Sequence, residues 1–291
     1  MRITKCIKQL LRCYAAFAAA EAVYMIGDNF MDRSKAVLVV SFGTSYRETA
    51  KLAIGVVERD LDAAFPDARL YRAWTSGFIR KKLQDRDGIH VDSPEEALHK
   101  MLAEGIREVL VQPTFFLKGR EYEEMIGVLQ KYRTSFASVR IGRTLLETEE
   151  DLDRIVRAVA DSFPKLQPSE ALVLMGHGTE HAANRVYADL ARRFREQEPA
   201  HIYLGTVEAK PDFSDVMEQL REQKPEKLFL APFLLVAGDH ACKDLDGEDP
   251  ASWRRRAEAA GYQVESIRKG LGEYPAVRQI YVEHAEEAVP L

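Results

Sequence analysis

Two histidines and a glutamate, His177, Glu208 and His240, are the residues of this chain whose types and placement best suit chemistry. Each follows an apolar run: Ala171–Met175 precedes Gly176-His177, His201-Ile-Tyr-Leu-Gly205 precedes Glu208, and Leu228-Phe-Leu-Ala231 precedes the segment that carries His240. Such short runs read as buried parallel strands. Glycines on both sides of His177 let the backbone turn where the strand stops. The C-terminal ends of parallel strands share one edge, where α/β folds bind ligands. The three side chains are therefore expected to converge. Two imidazoles and a carboxylate suit a borderline divalent ion such as Co²⁺, Fe²⁺ or Zn²⁺.

Other residues offer weaker cases. His181 lies four positions after His177, but His177 precedes the helix, so the pair is not an HxxxH zinc motif on one helix face. His181 is expected to be a hydrogen-bonding neighbour. His90, His99, His201 and His284 read as surface or packing residues. Glu121, after Lys118-Gly-Arg120, is a candidate acid on the opposite wall of a cleft, although the acid run Glu121, Glu123, Glu124 also fits a solvated helix start. Ser41 and Ser45 flank Gly43 without a GxSxG nucleophile elbow and are expected to offer hydroxyls and backbone N–H groups. The chain has no GxGxxG and no GxxxxGK[ST], so no nucleotide cofactor is indicated.

The elements that must position these residues repeat. Strands are expected at 36–41, 68–73, 108–112, 171–175, 201–205, 228–231 and 262–267. Helices are expected to open at Ser45-Tyr-Arg-Glu48 as a capping box, at Ser93-Pro94, at Glu149, after Thr179, at Asp212, at Asp249-Pro250 and at Tyr274. Ser41-Phe-Gly-Thr44 matches Gly176-His-Gly-Thr179, and residues 111–119 match 230–238. This internal duplication implies an α/β fold of two similar Rossmann-like lobes. Each is a parallel sheet flanked by helices, and the two face a central cleft. The expected division is an extension over 1–34, a first lobe over 35–148 and a second lobe over 149–291 that carries the metal site.

Composition narrows the function. The 291 residues carry a net charge of −5, which gives no electrostatic case for nucleic acid. Three cysteines without a CxxC indicate neither a disulfide framework nor a thiolate zinc site. No segment has the roughly 18 apolar residues of a membrane span. At the N-terminus, Arg2, Lys5, Lys8 and Arg12 precede Ala15–Ala20, a loose likeness to a secretory leader that Glu21 interrupts. An amphipathic helix or a disordered extension fits as well, and Met31 offers a second start. The expectation is a cytoplasmic protein, with the periplasm as the alternative if residues 1–30 act as an export signal.

Five segments carry a resemblance. Val39–Ser45, Pro113–Tyr122, Met175–Asn184, Gly205–Glu208 and Phe233–Ala241 resemble the anaerobic cobalt chelatases of the CbiK type, from about Lys35 to the C-terminus and in the same order. These act on sirohydrochlorin and are related to ferrochelatases. The resemblance implies insertion of Co²⁺ into that tetrapyrrole with release of two protons, for cobalamin biosynthesis. Fe²⁺ insertion for sirohaem and a non-catalytic metal or tetrapyrrole carrier stand as alternatives. It places His177, Glu208 and His240 on the metal ligands, with His177 as metal-bearing base and Glu121 as a second catalytic acid or base. No organic cofactor is implied. The divalent metal is a substrate, with Fe²⁺ and Ni²⁺ open beside Co²⁺. No nucleic acid or membrane span is expected, and a homo-oligomer is left open.

The tetrapyrrole is expected to meet Phe42, Gly43, Thr44, Lys118, Val236, Ala237 and Gly238. Its carboxylates call for a basic rim, for which Arg47, Lys118, Arg120, Lys210 and Lys243 are the candidates. Two positions depart from relatives. Phe115 stands where some have His, and Lys243 stands where Asn is common.

Overall fold

A computed structural model describes residues 34–163, 165–196 and 201–291. The N-terminal extension therefore lies almost wholly outside the described residues. In the first lobe, β1 (Lys35–Ser41) leads into α1 (Arg47–Thr49), a π-helical turn at Ala50–Ile54, and α2 (Gly55–Ala64). Then come β2 (Arg69–Trp74), α3 (Gly77–Asp87), α4 (Pro94–Ala103), β3 (Glu108–Pro113), α5 (Arg120–Tyr132) and β4 (Ser138–Ile141). After α6 (Glu149–Ser162) the second lobe runs β5 (Glu170–Gly176), α7 (Arg185–Glu196), β6 (Ile202–Thr206), α8 (Phe213–Gln223), β7 (Lys227–Pro232), α9 (Trp253–Ala259) and β8 (Gln263–Ser266). The chain closes with α10 (Pro275–Glu286) and β9 (Val289–Pro290).

The sheets have the same order, β2-β1-β3-β4 and β6-β5-β7-β8, all parallel. The expected duplication is thus a repeated topology. Alternate residues of each central strand separate two cores. Val37 and Val39 of β1 join Leu172 and Leu174 of β5 in one buried cluster with Phe233 and Tyr281, which fuses the lobes. Ala36, Leu38 and Val40 face a core of the first lobe alone, and Ala171, Val173 and Met175 one of the second.

Residues 149–291 do not all stay with the second sheet. β9 pairs antiparallel with β4, and α10 packs on α2, α6 and β3. The fully buried His284 of α10 meets the buried Asp151 of α6 at 2.8 Å. Burial alone would raise the Asp151 carboxyl, but hydrogen bonding and charge from His284, with bonds from Thr148, bring it down to about 2.

Caps explain most helix starts. Ser93 and Glu96 form a capping box with Pro94 in the first turn, and Thr148/Asp151 and Asp212/Asp215 do the same for α6 and α8. Three expected starts differ. Tyr46, not Ser45, is the residue before α1, because the hydroxyl used is that of Thr44, which accepts from Tyr46 N. The Thr179 hydroxyl accepts from His181 N, so α7 begins only at Arg185, after a 3₁₀ turn capped by His181 Nδ1. Ser252 rather than Asp249 caps α9. Among the described residues no helix is long and apolar enough to cross a membrane.

Candidate metal centre

The segment after β5 is shaped by close contacts. A Cβ on Gly176 would lie 2.7 Å from the Tyr187 ring, and Gly178 sits at φ +79° against the Thr206 side chain. Burial pushes the Tyr187 hydroxyl up to about 12, so it stays a protonated wedge under the turn. Glu208 N and Val207 N both donate to the carbonyl of His177, which ties the β5 and β6 loops together. His240 stands beyond β7, at the start of a π-helical turn.

The structure brings these three loops to one point. Possible ligand atoms of His177, Glu208 and His240 all lie within 4.8 Å of one another. The imidazole centroids are 4.6 Å apart at an interplanar angle of 85°, and Glu208 Oε2 is 3.4 Å from His177 Nδ1. Their side chains are 45%, 51% and 34% exposed for His177, Glu208 and His240, so the cluster opens to solvent.

Hydrogen bonds set the tautomers. His177 Nδ1 lies 2.9 Å from the Gly178 carbonyl, which can only accept. His240 Nδ1 lies 2.7 Å from Asp244 Oδ2. Both Nδ1 atoms therefore carry a proton, and in the neutral ring each Nε2 is the nitrogen whose lone pair faces a cation. Asp244 was not among the residues read from sequence. A carboxylate four positions after a candidate ligand histidine is the signal that could have found it.

Strand registers give the first lobe's counterparts. Ser41 is level with Trp74, and Val40 with Pro113; Gly176 is level with Thr206, and Met175 with Pro232. On this frame His177, Glu208 and His240 correspond to Phe42, Ser76 and Glu121. Phe42 is exposed, an apolar ring where the other lobe has an imidazole. Glu121 is half-buried in the first turn of α5 and stands outside the three-residue cluster.

The remaining expected contacts sort as follows. Gly43, at φ +97°, leaves no room for a Cβ beside Trp74, and Thr44 is buried. Val236 packs against the cluster of Trp74 and Ile54, so the second lobe's loop rests on the first. Ala237 is buried, and the Gly238 N–H is already given to Val236 O. Lys118 pairs with Glu147, Lys210 with Asp212 and Asp215, and Lys243 with Asp239. Arg47 and Arg120 are exposed and form no ion pair among the described residues. Phe115 packs at the edge of the first lobe's core.

Solved structures share the architecture. SirB from Bacillus subtilis with Fe³⁺ superposes with a TM-score of 0.58 at 15% identity, over 87% of this chain and 95% of that one. A multi-domain protein from Deinococcus radiodurans with structural similarity to chelatases, DR2241, gives 0.56 at 15% identity, over 87% of this chain and 55% of that one. These likenesses show the fold alone: two Rossmann-like lobes, here with an open histidine–carboxylate cluster on the second. The chain belongs to the cobalt chelatase (CbiK) family, whose model matches residues 35–290. It is 40% identical over 256 residues to a sirohydrochlorin cobaltochelatase of Salmonella typhimurium, covering 88% of this chain and 96% of that protein. It is 30% identical over 258 residues to sirohydrochlorin cobaltochelatase CbiKC of Nitratidesulfovibrio vulgaris, covering 88% and 90%.

Proposed function

We propose that the protein inserts Co²⁺ into sirohydrochlorin and that His177, Glu208 and His240 hold the incoming ion. The observation that carries this reading is the convergence of three donors within 4.8 Å on an open wall. A closed set of four ligands would retain the metal, whereas three exposed ones leave positions for water and then for pyrrole nitrogens.

The reaction exchanges M²⁺ for two pyrrole protons. As the ion passes to the macrocycle, the His177 Nε2 lone pair is released and can take one proton. Glu121, at the position equivalent to His240 in the first lobe, takes the second from the opposite face. The ring of Phe42 gives the macrocycle an apolar surface opposite His177. Backbone N–H groups near Gly43–Thr44 and Val236–Ala237 receive peripheral carboxylates. Arg47 and Arg120 are the rim cations that form no ion pair among the described residues, and the exposed pairs of Lys118, Lys210 and Lys243 exchange partners at little cost.

The donor set also accepts Fe²⁺ and Ni²⁺, so family membership rather than coordination chemistry favours Co²⁺. The test mixes protein, sirohydrochlorin and each of Co²⁺, Fe²⁺ and Ni²⁺, and follows absorbance against free solution. Insertion fastest with Co²⁺ supports the reading. A rate equal to that of free solution refutes catalysis and leaves a carrier.

A further inference from the structure

The loop that delivers His240 is held from the other lobe. Tyr46 Oη donates to Asp239 Oδ1 at 2.9 Å, across 193 residues of chain, and Asp239 directly precedes His240. The contact is not isolated. Tyr46 N donates to Thr44 Oγ1, and a Cβ on Gly238 would lie 3.4 Å from that same oxygen. Thr44–Tyr46 and Gly238–Asp239 therefore run side by side.

A second contact repeats the arrangement in reverse. On the frame that pairs Ser41 with Gly176, Tyr46 corresponds to His181. His181 Nε2 lies 3.4 Å from Glu123 Oε1, in the first turn of α5. In each lobe, then, the loop after the central strand crosses to the other lobe and grips the segment beyond its third strand. One strut ends beside His240, the other beside Glu121. This reciprocity is what a chance surface hydrogen bond would lack.

We infer that Tyr46 is a positioning residue of the first lobe that fixes His240 over the metal centre through Asp239, so that metal affinity depends on the spacing of the lobes. The inference rests on His240 being a metal ligand. Tyr46→Phe removes one hydroxyl and keeps the ring. Because the bond is exposed, it is worth about 1 kcal/mol, or about fivefold in an equilibrium.

The experiment titrates the full chain with Co²⁺ alone by calorimetry and records the melting temperature of the metal-free protein. His240→Ala is the control. Native Co²⁺ affinity in that variant refutes the ligand reading itself. If His240→Ala loses affinity, Tyr46→Phe is expected to bind Co²⁺ about fivefold more weakly, with a melting temperature within about a degree of native. Asp239→Asn keeps an oxygen for the Tyr46 hydroxyl and is expected to bind more tightly than Asp239→Ala. Native affinity in Tyr46→Phe overturns the strut while leaving the ligand reading intact. So does a loss of affinity that only tracks a lowered melting temperature.

Discussion

Removing the carboxylate behind His240 should loosen the metal without touching a ligand. Asp244 Oδ2 accepts from His240 Nδ1 at 2.7 Å, short for an N–H···O bond and therefore charge-assisted. It holds the neutral ring in the tautomer that leaves Nε2 free and fixes its orientation. Outer partners of metal-bound histidines are worth about 10–100-fold in metal affinity. Here Asp244 is 42% and His240 34% exposed, so solvent competes and the effect falls at the lower end. Asp244→Ala should weaken Co²⁺ binding about tenfold, or ~1.4 kcal/mol. Asp244→Asn keeps an acceptor oxygen without the charge and should lose about threefold. Calorimetric titration with Co²⁺ reads both. Native affinity in Asp244→Ala would refute the argument that this pair prepares His240 as a donor.

Further outcomes follow from the same geometry. His177→Ala should abolish insertion while far-UV circular dichroism stays native; normal turnover would sink the proposed base. Phe42→Ala should raise KM for the tetrapyrrole and leave Co²⁺ affinity alone, which steady-state kinetics and calorimetry separate. Gly178→Ala forces a Cβ to 2.6 Å from Thr206 Oγ1 at φ +79°, so urea unfolding should show a loss of about 2 kcal/mol. Asp151, held at about 2 in the folded chain against about 3.9 unfolded, contributes roughly 2.5 kcal/mol above pH 4. Its folded value is depressed, so that contribution fades as pH falls from about 4 towards 2. Asp151→Asn should be markedly less stable than native at pH 7 and approach it at pH 2.5; a constant gap by denaturant titration would contradict this.

The sequence was most readable where local pattern and burial agree. Strands such as Ala171–Met175 are apolar because both faces are covered, so their ends, and the residues after them, could be placed by inspection. The triad emerged for that reason. What stayed hidden depends on distant contacts. β4 is four residues long with Arg140 exposed in its middle, too short to show a period. α3 is Gly-Phe-Ile-Arg-Lys-Lys-Leu-Gln-Asp-Arg-Asp, with Leu83 as its one buried residue and hardly an apolar stripe to read. β9 joins the first sheet through a pairing of Arg140 with Pro290, which no neighbouring residues encode. The hydroxyl of Tyr46 acts through a partner 193 residues away that only the folded chain supplies, whereas the carboxylate of Asp244, four residues after His240, left a local signal.

Two groups of described residues could hold a cation: the His177, Glu208, His240 triad and an exposed set of His90, Asp92 and Glu96 on the first lobe. In the second set the Glu96 carboxylate already accepts from Ser93 N and pairs with Arg80, which disfavours a cation there. An anomalous difference map from a crystal soaked in dilute Co²⁺, recorded at the cobalt edge, separates them. The account predicts a strong peak between His177, Glu208 and His240, lost in His240→Ala. A peak at His90 with nothing at the triad would contradict it.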